Sequence, residues 1–232
     1  MSRQIDTPSQ APKSPLHVMR DPRRSSSHGV DDLFRSIYTM AGTSRNEIVA
    51  ITSAISGEGK TAIALGLAVT LAQDFPDINV ALVETDLARP VLAADLGVTE
   101  SPGLSDALTT ERDLRLLYRT VEVRNLRVVP AGSATITGAR LVRSSRMSTV
   151  LAQLRTENDV VILDLPAVLA NSDTLMLADL ADAIVFVVRS GVTPAAMVNE
   201  AIGVLDERKL RGVVLNAADS AAPAWARRLA GV

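Results

Sequence analysis

The stretch "ITSAISGEGKTAIALGLA", residues 51–68, runs from a β-branched apolar segment through a glycine-bearing turn into an alanine- and leucine-rich segment. Its centre, A-I-S-G-E-G-K-T, follows the phosphate-loop pattern G-x-x-x-x-G-K-(S or T) except at the first glycine, where Ala54 stands. Such a loop aims backbone N–H groups inward at the start of a helix whose dipole favours negative charge. Gly57 and Gly59 permit the tight backbone. Lys60 is placed to hold β- and γ-phosphates, and the Thr61 hydroxyl to bind Mg²⁺. A lone G-K-T is a weak signal; between a strand and an apolar helix it is a strong one. The expected cofactors are therefore ATP and Mg²⁺, with Ser56, Gly57, Glu58, Gly59, Lys60, Thr61 and Ala62 around the nucleotide.

Outward from the loop, short apolar runs alternate with helical stretches. Strands are expected at 47–52, 79–84, 126–130, 160–164, 183–188 and 212–216, and helices around 60–74, 140–156, 173–181 and 195–209. The strand runs are continuously apolar, the pattern of strands buried on both faces. The fold class is α/β, a parallel β-sheet P-loop NTPase fold with helices on both faces. Residues 1–29, rich in proline and serine, read as a disordered tail. Residues 30–232 read as one nucleotide-binding domain, with a preceding helix at 30–42.

Composition narrows the function. The net charge of −2 supplies no general attraction for nucleic acid, and no nucleic-acid partner is expected. The chain has no cysteine, which excludes thiol nucleophiles and Cys-ligated zinc. Both histidines, His17 and His28, fall in the tail, away from any site inside the fold. No apolar run approaches the roughly 20 residues that cross a bilayer, so the chain is expected to be cytoplasmic and not membrane-spanning. Arg20, Arg23 and Arg24 read as part of a solvated tail, with an anionic membrane surface as the alternative.

Ligands in parallel sheets collect at the carboxyl ends of the strands. Asp164 ends "VVILD", where a metal-directed aspartate belongs. Glu84 and Asp86 end the strand that follows the loop helix. Two acids there can hold Mg²⁺ and accept a proton from an attacking hydroxyl. Asn216 ends the last strand, where related folds touch the adenine base; the plainer reading is a turn residue. The candidate catalytic residues are thus Lys60, Glu84 and Asp86, and the candidate metal residues Thr61, Glu84 and Asp164.

Taken together, "SAISGEGKT", "LVETDLARP" and "VVILDLPAVLANSDTLMLADLADAIVFVVRSGVT" resemble the bacterial tyrosine kinases of capsule and exopolysaccharide synthesis. "GLSDAL" (103–108), "VVPAG" (128–132) and "DDLFRSIYTMAG" (31–42) extend the likeness over about residues 30–218. In that family the first motif reads S-x-x-P-x-E-G-K-(S or T), so the loop at Ala54 is a specialised version that dispenses with the first glycine. The departures are specific. Ser56 stands where proline is usual, and Glu84 replaces the first aspartate of D-x-D-x-R. Ala88 replaces that motif's arginine, although Arg89 is adjacent, and Ala167 replaces the second proline after Asp164. The helix motif E-x-x-R-x-x-R, associated in the family with ring assembly, appears here as Asp32, Arg35 and Tyr38. The family's C-terminal tyrosine cluster has no counterpart in "NAADSAAPAWARRLAGV"; the tyrosines are Tyr38 and Tyr118.

The resemblance implies a cytoplasmic ATP-binding kinase, a transferase acting on tyrosine. Its place would be beside the cytoplasmic segment of a membrane polysaccharide copolymerase of the Wzz type, at the inner face of the cell membrane, with a homo-oligomer as a further implied partner. Two alternatives stand beside it. One is a nucleotide-dependent switch without phosphotransfer. The other is a Par/Min-type positioning ATPase, disfavoured because the signature-lysine position holds Ile55. Arg140, Arg143 and Arg146 read as a solvated helix face, with a partner contact as the alternative, and Trp225 as a packing residue.

Overall fold

Residues Glu47–Ser53, every one of them buried, form the strand β2 on which the phosphate loop hangs. In a computed structural model, the residues described are 16–20, 34–39, 41, 46–110, 112–133 and 141–218. They contain eight strands in one sheet: β1 (Leu16–Arg20), β2, β3 (Val80–Glu84), β4 (Arg119–Thr120), β5 (Leu126–Val129), β6 (Val160–Asp164), β7 (Ala183–Arg189) and β8 (Leu210–Ala218). The spatial order is β1-β8-β7-β2-β6-β3-β5-β4, and all pairings are parallel except β4 with β5. The P-loop NTPase architecture expected from the apolar runs is the one observed.

The helices that follow are α1 (Lys60–Asp74), α2 (Leu92–Leu96), α3 (Leu104–Thr109), α4 (Ser145–Glu157), α5 (Asp173–Asp179) and α6 (Ala195–Gly203). Successive residues of a strand point to opposite faces. In β2, Val49 and Ile51 meet Ile63, Leu67 and Leu71 of α1, while Ile48 and Ala50 share the opposite core with Met147, Leu151 and Leu154 of α4. Burying both faces is what lets the runs stay apolar without alternation. Residues 34–39 and 41 are helical, and Phe34 lies so close to α1 that a Cβ on Gly66 would meet its ring at 2.0 Å. Only glycine allows that approach. Among the described residues no helix is long and apolar enough to cross a membrane.

Two expectations change. The stretch read as a disordered tail contributes β1, paired with β8 from Leu16↔Val213 onward with an irregularity between Val18 and Arg20. A five-residue run between prolines carries no pattern of its own; the pairing comes from the open edge of β8. Arg143 and Arg146 are not a solvated face. Arg143 donates to Asp173 Oδ1 at 2.5 Å and Arg146 to the Ala107 carbonyl at 2.7 Å, tying the start of α4 to its neighbours. Arg140, Trp225, the positions of Asp32, Arg23 and Arg24, and the C-terminal residues 219–232 lie outside the described residues.

Candidate nucleotide site

The chain leaves β2 and makes its turn at the switch point of the sheet, where β2 lies between β6 and β7. Gly57 and Gly59 adopt φ of 85° and 90°, and Gly59 is the N-cap of α1. Side chains with a Cβ rarely adopt that region. At Gly59 there is also no room, because an added Cβ would lie 2.2 Å from Asn216 Nδ2. The loop's shape therefore depends on glycine twice over at one position.

The loop is held from below by Glu58. Its side chain is 1% exposed and is turned into the protein. Oε2 accepts from the Ile55 N–H at 2.8 Å; Oε1 accepts from the Arg189 N–H at 3.1 Å and the Thr193 hydroxyl at 2.5 Å. The side chain expected near the nucleotide is thus a brace between the loop and the end of β7. Asn216 has the same kind of role: Nδ2 donates to the Glu58 carbonyl at 2.8 Å, so this side chain supports the loop where a base contact or a simple turn had been expected. Thr193, far off in sequence, carried no signal that could have identified it.

Above the loop lies a cleft of about 280 Å³ lined by Ser56, Gly59, Lys60 and Thr61 together with Asp86, Arg89 and Asp164. Ala62 is exposed in the first turn of α1. Asp164 ends β6 next to Glu84 of β3 in register. Its Oδ2 accepts the Thr61 hydroxyl at 2.6 Å, while Oδ1 is buried with no hydrogen-bond partner among the described residues. Burial pushes the Asp164 carboxyl up to about 6. The Thr61 hydrogen bond and the Lys60 charge pull the other way, and Glu84 and Asp86 add to the rise. A buried carboxylate oxygen without a donor, beside a threonine hydroxyl and a lysine, fits a divalent cation. No cluster of three His, Cys, Asp or Glu able to hold a metal exists among the described residues.

Glu84 lines the cleft but its carboxylate is occupied. Oε1 accepts from the N–H groups of Val91 at 2.6 Å and Leu92 at 2.8 Å, and Oε2 from Ala131 at 3.1 Å. Val91 is the N-cap of α2 and offers no side-chain cap. Glu84 supplies the missing acceptor from across the turn, with a negative charge favoured at a helix start. The metal and catalytic role expected of Glu84 is thus not what its contacts serve; Asp86, half-buried, is the acid of this turn left facing the cleft.

No protein-family model matches the chain. Among curated proteins it is similar to the tyrosine-protein kinase YwqD of Bacillus subtilis, 29% identical over 86% of this chain and 84% of that one. It is also similar to the succinoglycan biosynthesis transport protein ExoP of Rhizobium meliloti, 30% identical over 78% of this chain. The chain spans 23% of ExoP, so it matches one part of a longer protein there. Among solved structures, the VpsO kinase domain superposes with a TM-score of 0.74 at 30% identity, covering 82% of this chain and 95% of that domain.

Proposed function

Because the chain belongs to the bacterial tyrosine kinases, we propose that it binds Mg·ATP in the cleft above residues 56–61 and transfers the γ-phosphoryl group to a tyrosine hydroxyl of a partner protein. The process served is exopolysaccharide or capsule synthesis and export. The partner is the cytoplasmic segment of a membrane copolymerase, which places the protein at the inner membrane face.

The observation that carries the reading is the unpartnered, buried Oδ1 of Asp164 beside Thr61 and Lys60. The backbone N–H groups of the loop and the Lys60 ammonium bind and orient the phosphates. Thr61 and Asp164 hold the cation, which when bound offsets the charge of the β- and γ-phosphates. Asp86 receives the proton of the attacking hydroxyl, and catalysis rests on placement rather than on covalent chemistry. The contacts of Glu84 favour a second reading, a nucleotide-driven switch without phosphotransfer, because they leave one acid fewer for the reaction.

The test is incubation with γ-labelled ATP and Mg²⁺, alone and with the cytoplasmic segment of a copolymerase, alongside titration calorimetry. The kinase reading expects label on partner tyrosines; binding with neither label nor free phosphate supports the switch. Lys60→Ala should weaken binding by a hundredfold or more, on the order of two charge-assisted hydrogen bonds. Equal affinity in the two proteins would end both readings.

A further inference from the structure

The wall of the cleft opposite α1 is a turn of chain, Asp86 to Arg89, that leaves the end of β3. Two acceptors of one residue close it: the Arg89 N–H lies 3.2 Å from both the Asp86 carbonyl and Asp86 Oδ1. The turn therefore fixes where Arg89 starts. Its guanidinium is exposed, lines the cleft, and makes no hydrogen bond or ion pair among the described residues. Arg115, Arg124 and Arg211 are exposed and equally uncommitted among the described residues, but none of them lines the cleft, and other surface arginines are engaged. Arg143 pairs with Asp173, Arg155 with Asp182 and Arg208 with Asp206, while Arg119 donates to the carbonyls of Thr99 and Pro102. An uncommitted planar fork at the mouth of a phosphate site has the geometry that a phosphate accepts two-fold.

The strand order says which phosphate it would meet. The loop follows β2, Asp164 ends β6, and Arg89 follows β3, and these three strands are successive neighbours. Asn216, under the loop, comes from β8 on the other side. In a phosphate site of this kind the loop amides would take the inner phosphates, with Thr61 and Asp164 placed to hold a cation beside them. The next position along the strand ends belongs to the terminal phosphate. Resting on the nucleotide reading above, we propose that Arg89 binds the terminal phosphate of a nucleoside triphosphate and so makes the cleft distinguish triphosphate from diphosphate.

Calorimetry of the full chain with Mg·ATP and Mg·ADP tests this. Arg89→Ala should weaken ATP by about tenfold or more, the scale of a charge-assisted pair, and leave ADP within about twofold. Arg89→Lys, which keeps the charge without the fork, should fall between the two for ATP. Because the guanidinium has no partner among the described residues, the thermal midpoint without nucleotide should not move. Equal losses for ATP and ADP would show a general field instead of a contact, and unchanged ATP affinity would show a solvated side chain; either overturns the proposal. Failure of the unsubstituted protein to bind either nucleotide would overturn the nucleotide reading itself, a distinguishable result.

Discussion

Replacing Glu84 by alanine separates two accounts of this residue by the sign of a stability change. The carboxylate is 1% exposed and serves three backbone N–H groups, those of Val91, Leu92 and Ala131. Val91 is exposed, and its N–H regains water when the carboxylate is gone. Leu92 and Ala131 are fully buried, and each stranded donor costs about 1–3 kcal/mol. The expected destabilisation is therefore about 2–6 kcal/mol, or roughly 5–20 °C in the thermal midpoint for a domain of this size. Were Glu84 instead a metal ligand awaiting Mg²⁺, its removal from beside Asp164 would relieve repulsion between two buried acids, and the nucleotide-free protein would gain stability. The assay is thermal and urea unfolding without Mg²⁺ or nucleotide, followed by Mg·ATP titration at a temperature where the variant is folded. A large drop in midpoint with ATP affinity within a few-fold supports the brace. Glu84→Asp should show a smaller drop of the same sign, since a side chain one methylene shorter cannot reach both Leu92 and Ala131. An unchanged or raised midpoint, together with loss of the Mg²⁺ dependence of binding, would refute the reasoning.

Two further outcomes follow from the same site. Asp164 holds its proton more tightly in the folded protein, at about 6, than at the ordinary 3.8, so the folded state binds more protons between those values and stability falls as pH rises through that window, by about 3 kcal/mol in all, then levels off. Urea titrations across that range should show the slope and Asp164→Asn should remove it, while Mg·ATP affinity of the unsubstituted protein should rise with pH through about 6 as the carboxylate ionises; a flat stability profile would contradict the burial argument. Gly59→Ala places a Cβ 2.2 Å from Asn216 Nδ2 at a φ of 90°, so ATP binding should be lost, and adding Asn216→Ala should restore it only partly because the backbone strain of about 1–2 kcal/mol remains. Calorimetry showing normal affinity in Gly59→Ala would mean that the loop does not need this shape.

Much of the frame was legible because its signals are local. The runs at 47–52, 160–164 and 183–188 lie within strands that begin at the same residues, and the helix at 60–74 has the bounds the pattern suggested. Long apolar runs in a doubly covered sheet need no partner to be recognised. The elements that went unseen, α2, α3, β1 and β4, are six residues or fewer, too short to complete a period that can be read. That Lys60, Thr61 and Asp164 would come together at one cleft was legible for the same reason as the strands: one motif and one strand end locate them.

The acids at 58 and 84 were not, because where a carboxylate points depends on donors far away in sequence. Glu58 answers to Arg189 and Thr193, and Glu84 to Val91, Leu92 and Ala131. Glu84 stands where the family pattern has an aspartate, whose side chain is one methylene shorter. The contacts of Glu84 give that methylene a meaning. The added reach carries one oxygen to the start of α2 and the other to the loop after β5, so a single side chain joins three segments that wall the cleft. Asp86, two residues on, faces the cleft and among the described residues accepts from the Arg89 N–H of its own turn, so its loss should affect phosphoryl transfer with only a local effect on that turn. The choice between kinase and switch therefore rests on Asp86.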